Sequence, residues 1–213
     1  ESPFVMLKTK HYHISGNERF EGFLIDVINH ILRPLNVDFE IRLASQNKYG
    51  KLRNSFFWDG AIGEVHRGTA DIAIGPLVVL EEANETIDYT EPYLSLKYSA
   101  LIAKPTIKDL SKLVESGMTC GMIENSHPYT LFNRSTYEDH KVIFSKMSNA
   151  WPGAYVQTRQ EGVERARMGN FAFIIDTPIA EFEAGKKPCD LYTTEPFLDV
   201  VDYAFIIAKN ATL

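Results

Sequence analysis

Five consecutive apolar residues, Phe171 to Ile175, lie between Gly169 and Asp176. A short apolar run with a glycine before it and an acid after it is typical of a strand that is buried on both faces. Such strands occur mainly in sheets covered by helices, so the run favours an α/β fold. Asp176 follows the strand at its carboxyl end, which is where open α/β sheets bind ligands.

The first half of the chain alternates helical and strand-like patterns. Apolar spacing predicts a helix over Phe23–Leu32 that ends before Pro34, and period-two alternation predicts a half-buried strand over Val37–Leu43. A short helix over Gly60–Gly68 and a strand over Ala70–Ile74 are predicted next.

The second half repeats this order. We predict a strand over Thr119–Ile123, a helix through Tyr129–Phe132 and a helix over Glu161–Arg167. Strands that alternate with helices imply a mostly parallel sheet. Two α/β units of similar size, joined around Tyr93–Lys104, predict two lobes with a ligand-binding cleft.

The composition argues against several classes of protein. The 213 residues carry 22 Lys and Arg against 28 Asp and Glu, and the net charge of −6 argues against a nucleic-acid partner. No apolar stretch approaches the roughly 20 residues of a membrane-spanning helix, and no signal segment opens the chain, which predicts a soluble chain as it stands. The histidines lack metal-ligand spacing, and no phosphate-binding glycine loop or nucleophile motif is present. We expect neither an enzyme nor a metal or cofactor site.

The cysteines and the possible glycosylation sites indicate in which cellular compartment the chain could fold. Cys120 and Cys189 are far apart in sequence, so one structural disulfide and two thiols remain alternatives. Asn-x-Ser/Thr triplets begin at Asn84, Asn133 and Asn210, which is compatible with an extracellular surface.

Five short motifs occur in order along nearly the whole chain. They are GNERFEGF at 16–23, KYG at 48–50, ADIAIGPL at 70–77, IDYTEPY at 87–93 and KPCD at 187–190. Together they resemble the ligand-binding domain of ionotropic glutamate receptors, most closely the AMPA and kainate branches. The resemblance implies a two-lobed, periplasmic-binding-protein-like α/β clamshell that closes on an amino acid and opens a cation channel. It also implies an extracellular domain at the plasma membrane, in a tetramer built as a dimer of dimers.

The resemblance also implies how the chain is divided. Lobe 1 would comprise residues 1–95 and 203–213, and lobe 2 residues 96–202. Family members carry pore helices between the two lobe-forming segments, so we expect these segments to have been joined near residues 105–106. Cys189 resembles the family's disulfide cysteine, whose usual partner would lie beyond Leu213.

Four positions resemble the family's ligand site. Asp176 matches the acid that binds the ligand ammonium, and Pro76 keeps the carbonyl that assists it. Phe20 stands where the family places a tyrosine over the ligand, and Tyr203 resembles a pocket tyrosine from the second lobe. Aromatic faces here could add cation–π attraction of ~0.5–2 kcal/mol, so the site favours a cationic ligand.

Three other positions depart from the family pattern. Val78 and Ala83 replace the threonine and the arginine that hold the ligand α-carboxylate. His127 lies in Ser-His-Pro, where the family has the Gly-Ser-Thr that binds the distal carboxylate, and the proline removes a backbone donor. A carboxylate buried without a charge partner costs several kcal/mol, so we expect these replacements to disfavour ordinary glutamate binding.

One further pair, Glu1 and Arg159, resembles residues that face each other across the family's cleft. An ion pair between them could favour the closed lobes, by ~0–1 kcal/mol if the pair is exposed to solvent.

Each assignment has a simpler alternative. Asp176 could be only a helix cap, Phe20 core packing, and His127 a solvated loop residue. At the level of the whole protein, the alternatives are a modulatory subunit that binds no agonist and a free solute-binding protein.

Overall fold

The computed structural model describes residues 1–54, 57–150 and 153–211. The chain forms two compact units, one of Glu1–Ser95 with Asp202–Leu213 and one of Leu96–Val201, called unit 1 and unit 2 below. Both units combine helices with strands. Within the described ranges, no helix is long and apolar enough to cross a bilayer.

The helices of the described residues are short. They are α1 (Phe23–Leu32), α2 (Gly60–His66), α3 (Leu110–Glu115), α4 (His127–Arg134), α5 (Glu138–Asn149), α6 (Arg159–Arg167) and α7 (Thr177–Ala184).

The strands are two or three residues long, apart from four longer strands in the sheet of unit 2. They are β1 (Met6–Leu7), β2 (Phe20–Glu21), β3 (Leu52–Asn54), β4 (Phe57–Trp58), β5 (Ile72–Ala73), β6 (Ile87–Tyr89), β7 (Leu94–Ile102), β8 (Thr119–Ile123), β9 (Tyr155–Val156), β10 (Phe171–Asp176), β11 (Tyr192–Thr193), β12 (Phe197–Tyr203) and β13 (Ile206–Ala208).

Unit 1 is built around a small antiparallel sheet of order β5-β13-β6. Helix α2 contributes Ile62 and Val65 to the core beside this sheet, together with Trp58. The predicted helix over Phe23–Leu32 is confirmed as α1. It starts after Gly22, whose φ of 124° favours glycine and where a Cβ would lie 2.6 Å from the Phe4 carbonyl oxygen.

The strand that we predicted over Val37–Leu43 is absent, although its alternation is partly real. Ile41 is buried and the charged residues on either side of it are exposed, yet these residues pair with no strand in the described chain. Asn17 takes the place of a neighbouring strand, because its side chain donates to the Phe39 carbonyl and accepts from the Ile41 N–H, each over 2.7 Å. Period-two alternation reports which side chains face the core, and not which group satisfies the backbone.

Asn17→Ala is expected to lower the free energy of unfolding by about 1–2 kcal/mol, because it leaves two backbone groups of this segment without their partner. Urea denaturation would measure the loss. Asn29→Ala is the matched control, since Asn29 is also half-buried but its amide donates, over 2.7 Å, only to the Ile25 carbonyl one turn back in α1. We expect a change below about 0.5 kcal/mol for the control, and equal losses in both variants would refute the role of Asn17.

The sheet of unit 2 has the order β11-β7-β10-β8-β9, and β12 also pairs with β7. Strand β8 pairs in parallel with β10 and β9, whereas β7 pairs antiparallel with β10 and β11. The expectation of a mostly parallel sheet is therefore wrong, and the sheet is mixed. Alternation along the chain fixes the order of elements, but it does not determine that the long strand β7 lies beside β10.

The apolar run after Gly169 forms β10, as predicted, with all five apolar residues buried between β7 and β8. The strand over Thr119–Ile123 is confirmed as β8, and helices α4 and α6 cover the segments predicted to be helical. Side chains cap two of the helices of unit 2, because Asp109 accepts from the Lys112 N–H and Thr158 from the Glu161 N–H.

Candidate functional site

Asp176 ends strand β10 and lies directly opposite Tyr98 of β7. Side chains of cross-strand partners project from the same face of a sheet, so the carboxylate and the phenol are neighbours. Asp176 also occupies the N-cap position of α7, but its side chain makes no cap hydrogen bond to that helix. The helix-cap alternative therefore does not account for this carboxylate.

The backbone around Asp176 is held by hydroxyl groups. Thr177 follows Asp176, and its Oγ1 donates to the Lys97 carbonyl over 2.9 Å and lies 2.8 Å from the Ser99 Oγ. Ser99 is fully buried. Because these contacts join the start of α7 to β7 on either side of Tyr98, they fix where the carboxylate and the phenol stand.

Tyr98 joins Asp176 to a third polar residue. Its side chain is 1% exposed, and its hydroxyl lies 2.9 Å from Nδ1 of His127. Burial, and then the negative charge of Asp176, raises the pKa of Tyr98 well above its usual value. The phenol therefore keeps its proton at any physiological pH.

His127 is the first residue of α4 and is half-buried. Burial, and then the charge of Arg134, lowers the pKa of its imidazole below the ordinary value of about 6.5. The ring is therefore neutral near pH 7. Since His127 is neither fully exposed nor without a protein contact, the solvated-loop alternative does not describe it.

The residue before His127 carries an unsatisfied polar atom. The Oγ of Ser126 is buried and has no hydrogen-bond partner among the described residues, and it does not cap α4. Buried hydroxyls are nearly always bonded, so this Oγ has unused hydrogen-bonding capacity at the start of α4. Asp176, Tyr98, His127 and Ser126 together form what we call the α4 polar site of unit 2.

Tyr98 is the residue of this site that sequence reasoning missed. It lies 29 positions from its hydrogen-bond partner His127. The only available signal was a tyrosine at a position that the fold buries completely. Recognising that position requires β7 to be predicted as a strand, and the predicted elements did not include it.

The positions that replace the family's carboxylate-binding groups lie in unit 1. Ala83 is fully buried in the core cluster with Leu77 and Ile87, and its N–H donates to the Leu80 carbonyl over 3.0 Å. Val78 forms an isolated backbone bridge with Tyr203. Pro76 is buried just before them. The methyl group of Ala83 therefore serves as core packing.

The two predicted aromatic residues are also buried in unit 1. Phe20 is 3% exposed and packs with Ile25 and Ile41, while the Arg19 guanidinium lies 5.3 Å from the centre of its ring. This packing agrees with the simpler alternative, and its role over a ligand stays a prediction.

Tyr203 lies in unit 1, which agrees with the expected lobe 1 of residues 1–95 and 203–213 but not with the resemblance to a pocket tyrosine of the second lobe. It makes an edge contact with Phe4 at 5.7 Å between ring centres and a tilted contact with Tyr93 at 6.3 Å. The chain returns to unit 1 at Asp202, one residue earlier than the expected boundary. Its role in a ligand pocket stays a prediction.

Glu1 and Arg159 each have a contact within their own unit. The hydroxyl of Tyr49 donates to the Glu1 carboxylate, and Nε of Arg159 lies 3.6 Å from the buried carboxylate of Glu183. The bridge between Glu1 and Arg159 stays a prediction.

Cys189 is exposed and Cys120 is buried, and both are free thiols in the described chain. The pairing of Cys189 with a residue beyond Leu213 stays a prediction. Asn84, Asn133 and Asn210 are exposed, as glycosylation requires, but Thr212 of the third triplet lies outside the described residues. Among those residues, no group of three or more His, Cys, Asp or Glu side chains could hold a metal ion.

Comparison with known proteins identifies similar sequences and a similar structure. Residues 1–106 match the family described as "Ligated ion channel L-glutamate- and glycine-binding site". Glutamate receptor 3 of Rattus norvegicus is 37% identical over 106 residues, and Glutamate receptor 2 of Caenorhabditis elegans is 35% identical over 107 residues. These alignments cover 49% and 48% of this chain but only 12% and 11% of the relatives, so the chain corresponds to a small part of the receptors it matches.

A solved structure extends the similarity to nearly the whole chain. The structure titled "Drosophila muscle GluRIIB complex with glutamate" superposes with a TM-score of 0.86 at 28% identity, over 99% of this chain and 84% of that one. The match includes unit 2, which the family alignment of residues 1–106 leaves almost untouched.

Proposed function

We propose a function from one premise: this chain is an ionotropic glutamate receptor-like ligand-binding domain with a periplasmic-binding-protein-like fold. In this proposal it is the extracellular sensing part of a ligand-gated cation channel and acts by binding rather than by catalysis. Its ligand is a small amine or an atypical amino acid whose ammonium group pairs with Asp176.

The observation that carries the ligand class is the position of Asp176. Its carboxylate stands at the end of a strand whose five apolar residues are buried, and burial, followed by the charge of Asp176, raises the pKa of its neighbour Tyr98. A carboxylate held in such surroundings binds an ammonium group more strongly than an exposed one does, because less water competes for it.

Ala83 in unit 1 argues against an ordinary α-amino acid as the ligand. Ala83 offers a methyl group inside the core where the resemblance implies a guanidinium. A ligand carboxylate that loses its water without gaining a charged partner weakens binding by several kcal/mol, which corresponds to a factor of hundreds or more. Glutamate is therefore expected to bind poorly.

The channel mechanism would be a shift in population. In this proposal, units 1 and 2 act as the two lobes, approximately residues 1–95 with 203–213 and residues 96–202. A ligand that binds the closed form better than the open form shifts the domain towards closure, and only this difference in affinity can open a pore. The pore helices would connect at residues 105–106, next to where the family match ends, in a tetramer at the plasma membrane.

A thermal-shift screen of the 213-residue chain tests the proposal. The panel contains glutamate, glycine, other amino acids, and small amines with and without a carboxylate. We expect amines to raise the melting temperature and glutamate to raise it little, because binding to the folded state stabilises it by mass action. Stabilisation by glutamate alone would refute the proposed ligand class.

A modulatory subunit that binds no agonist is the second candidate, and the same observation on Ala83 favours it. A folded domain that responds to no compound in the panel would support this candidate over the first. A gene without membrane spans between the segments encoding Pro105 and Thr106 would instead indicate a free solute-binding protein.

A further inference from the structure

The hydrogen bond between Tyr98 and His127 determines what the start of α4 can bind. It joins a residue in the middle of β7 to the first residue of a helix, over 2.9 Å. The two rings are also in contact, with 6.2 Å between their centres. An imidazole held at Nδ1 by a buried phenol has a fixed orientation, and Nε2 is its second ring nitrogen.

The direction of this hydrogen bond follows from the surroundings of the phenol. Nδ1 of His127 is the hydrogen-bond partner of the Tyr98 hydroxyl in the described part of the chain. If Nδ1 carried the proton, the buried phenol would have no acceptor for its own. The hydroxyl therefore donates to Nδ1, and the neutral imidazole carries its proton on Nε2.

Two polar groups then remain available at the start of α4. Nε2–H of His127 has no hydrogen-bond partner among the described residues, and neither does the buried Oγ of Ser126. Both groups are uncharged. The cation of this helix, Arg134, is exposed at its other end, about 10 Å away by helical rise.

We propose that Tyr98 is a specificity-determining residue, which fixes His127 so that His127 and Ser126 receive an uncharged hydrogen-bonding group of the ligand. This inference rests on the proposed function, in which Asp176 binds the ammonium group. The ligand class is then a primary amine with an amide or hydroxyl at its other end. A ligand with a carboxylate at that end is rejected, because His127 and Ser126 provide no positive charge to pair with it and the negative charge of Asp176 repels it.

The first test is nitrogen-15 NMR of His127 in the ligand-free chain. We expect an unprotonated Nδ1 and a protonated Nε2 near pH 7, and a mixture of tautomers in Tyr98→Phe. Tyr192→Phe is the matched control, because Tyr192 is an exposed tyrosine of the same unit. A proton on Nδ1 in the unsubstituted chain, or an unchanged spectrum in Tyr98→Phe, would overturn the proposal.

The second test compares two pairs of probes by calorimetry: γ-aminobutyramide with γ-aminobutyrate, and β-alaninamide with β-alanine. We expect each amide to bind at least about tenfold more tightly than its acid, and this ratio to fall to about threefold or less in Tyr98→Phe but not in Tyr192→Phe. His127→Gln should also lose the preference for the amide over the acid, because glutamine cannot accept the hydrogen bond of the Tyr98 phenol in the same geometry as Nδ1 of His127. A ratio retained in Tyr98→Phe would overturn the role of Tyr98.

The two proposals fail in different ways. If the amides bind, and Asp176→Asn abolishes their binding while Tyr98→Phe keeps the preference, then only the role of Tyr98 is wrong. If no amine binds the folded chain, the proposed function and the specificity role are both wrong.

Discussion

Asp176→Asn is expected to weaken binding of γ-aminobutyramide about 100-fold. The substitution keeps the size and shape of the side chain but removes the negative charge at the end of β10. Removing the charge of one partner of a close, partly buried ion pair costs about 2–5 kcal/mol, and 100-fold corresponds to about 2.7 kcal/mol. Calorimetry on both proteins would measure the ratio, and a melting curve would establish that the variant is folded.

Asp190→Asn is the control for the change in net charge. Asp190 belongs to the same unit and pairs with Nε of Arg167 at 3.2 Å, but its side chain is 41% exposed. Exposed ion pairs contribute about 0–1 kcal/mol, so the control should bind the probe within about twofold of the unsubstituted chain. Equal losses in the two variants would mean that Asp176 acts through overall charge and not as the ammonium partner.

Gly121→Ala is expected to lower the free energy of unfolding by about 3 kcal/mol. Gly121 lies in the middle of β8, and an added Cβ would overlap the backbone carbonyl of Ala154 and the ring of Phe171. The ring cannot swing away easily, because the Arg165 guanidinium lies 3.9 Å from its centre. Overpacking of this kind forces backbone shifts, and in a chain of this size it should lower the melting temperature by about 9 °C.

Gly185→Ala provides the comparison for an added methyl group without overlap. Gly185 follows α7 in the same unit, has an ordinary helical backbone, and would place a Cβ 3.5 Å from the nearest atom, the Glu181 carbonyl oxygen. We expect a change within about 0.5 kcal/mol, or a slight gain from the stiffer unfolded chain. Denaturant unfolding measures both variants, and a similar small effect at Gly121 would contradict the packing seen around β8.

Local patterns predicted several elements to the residue. The apolar spacing over Phe23–Leu32 coincides with α1, and the segment Thr119–Ile123 coincides with β8. The apolar run after Gly169 is a strand buried along its length, with Asp176 as its last residue. These features are local because one face of a helix, or both faces of a strand, must be apolar wherever the element is buried.

The same reasoning failed where distant groups decided the structure. Residues 37–43 alternate as a strand does, but the side chain of Asn17 satisfies Phe39 and Ile41 in place of a neighbouring strand. The sheet of unit 2 is mixed because β7 lies antiparallel beside β10. Neither partner can be identified from the periodicity of the segment itself.

The candidate site divides in the same manner. Asp176 was predicted, since a strand that ends in an acid is visible in five or six consecutive letters. Tyr98 was missed, because only the pairing of β7 with β10 places it opposite Asp176, and only the position of α4 brings His127 within 2.9 Å of its hydroxyl.

By itself, the sequence predicted α1, β8, β10 and the acid at the end of β10, because each depends on residue types at short range. The absence of an arginine at Ala83 followed from the resemblance to the family. Tertiary structure alone decided that Ala83 is part of the core and that the Tyr98 hydroxyl meets Nδ1 of His127. The physical reason is that hydrogen bonds and burial join groups that are close in space, and only strand pairing and helix packing determine which groups those are.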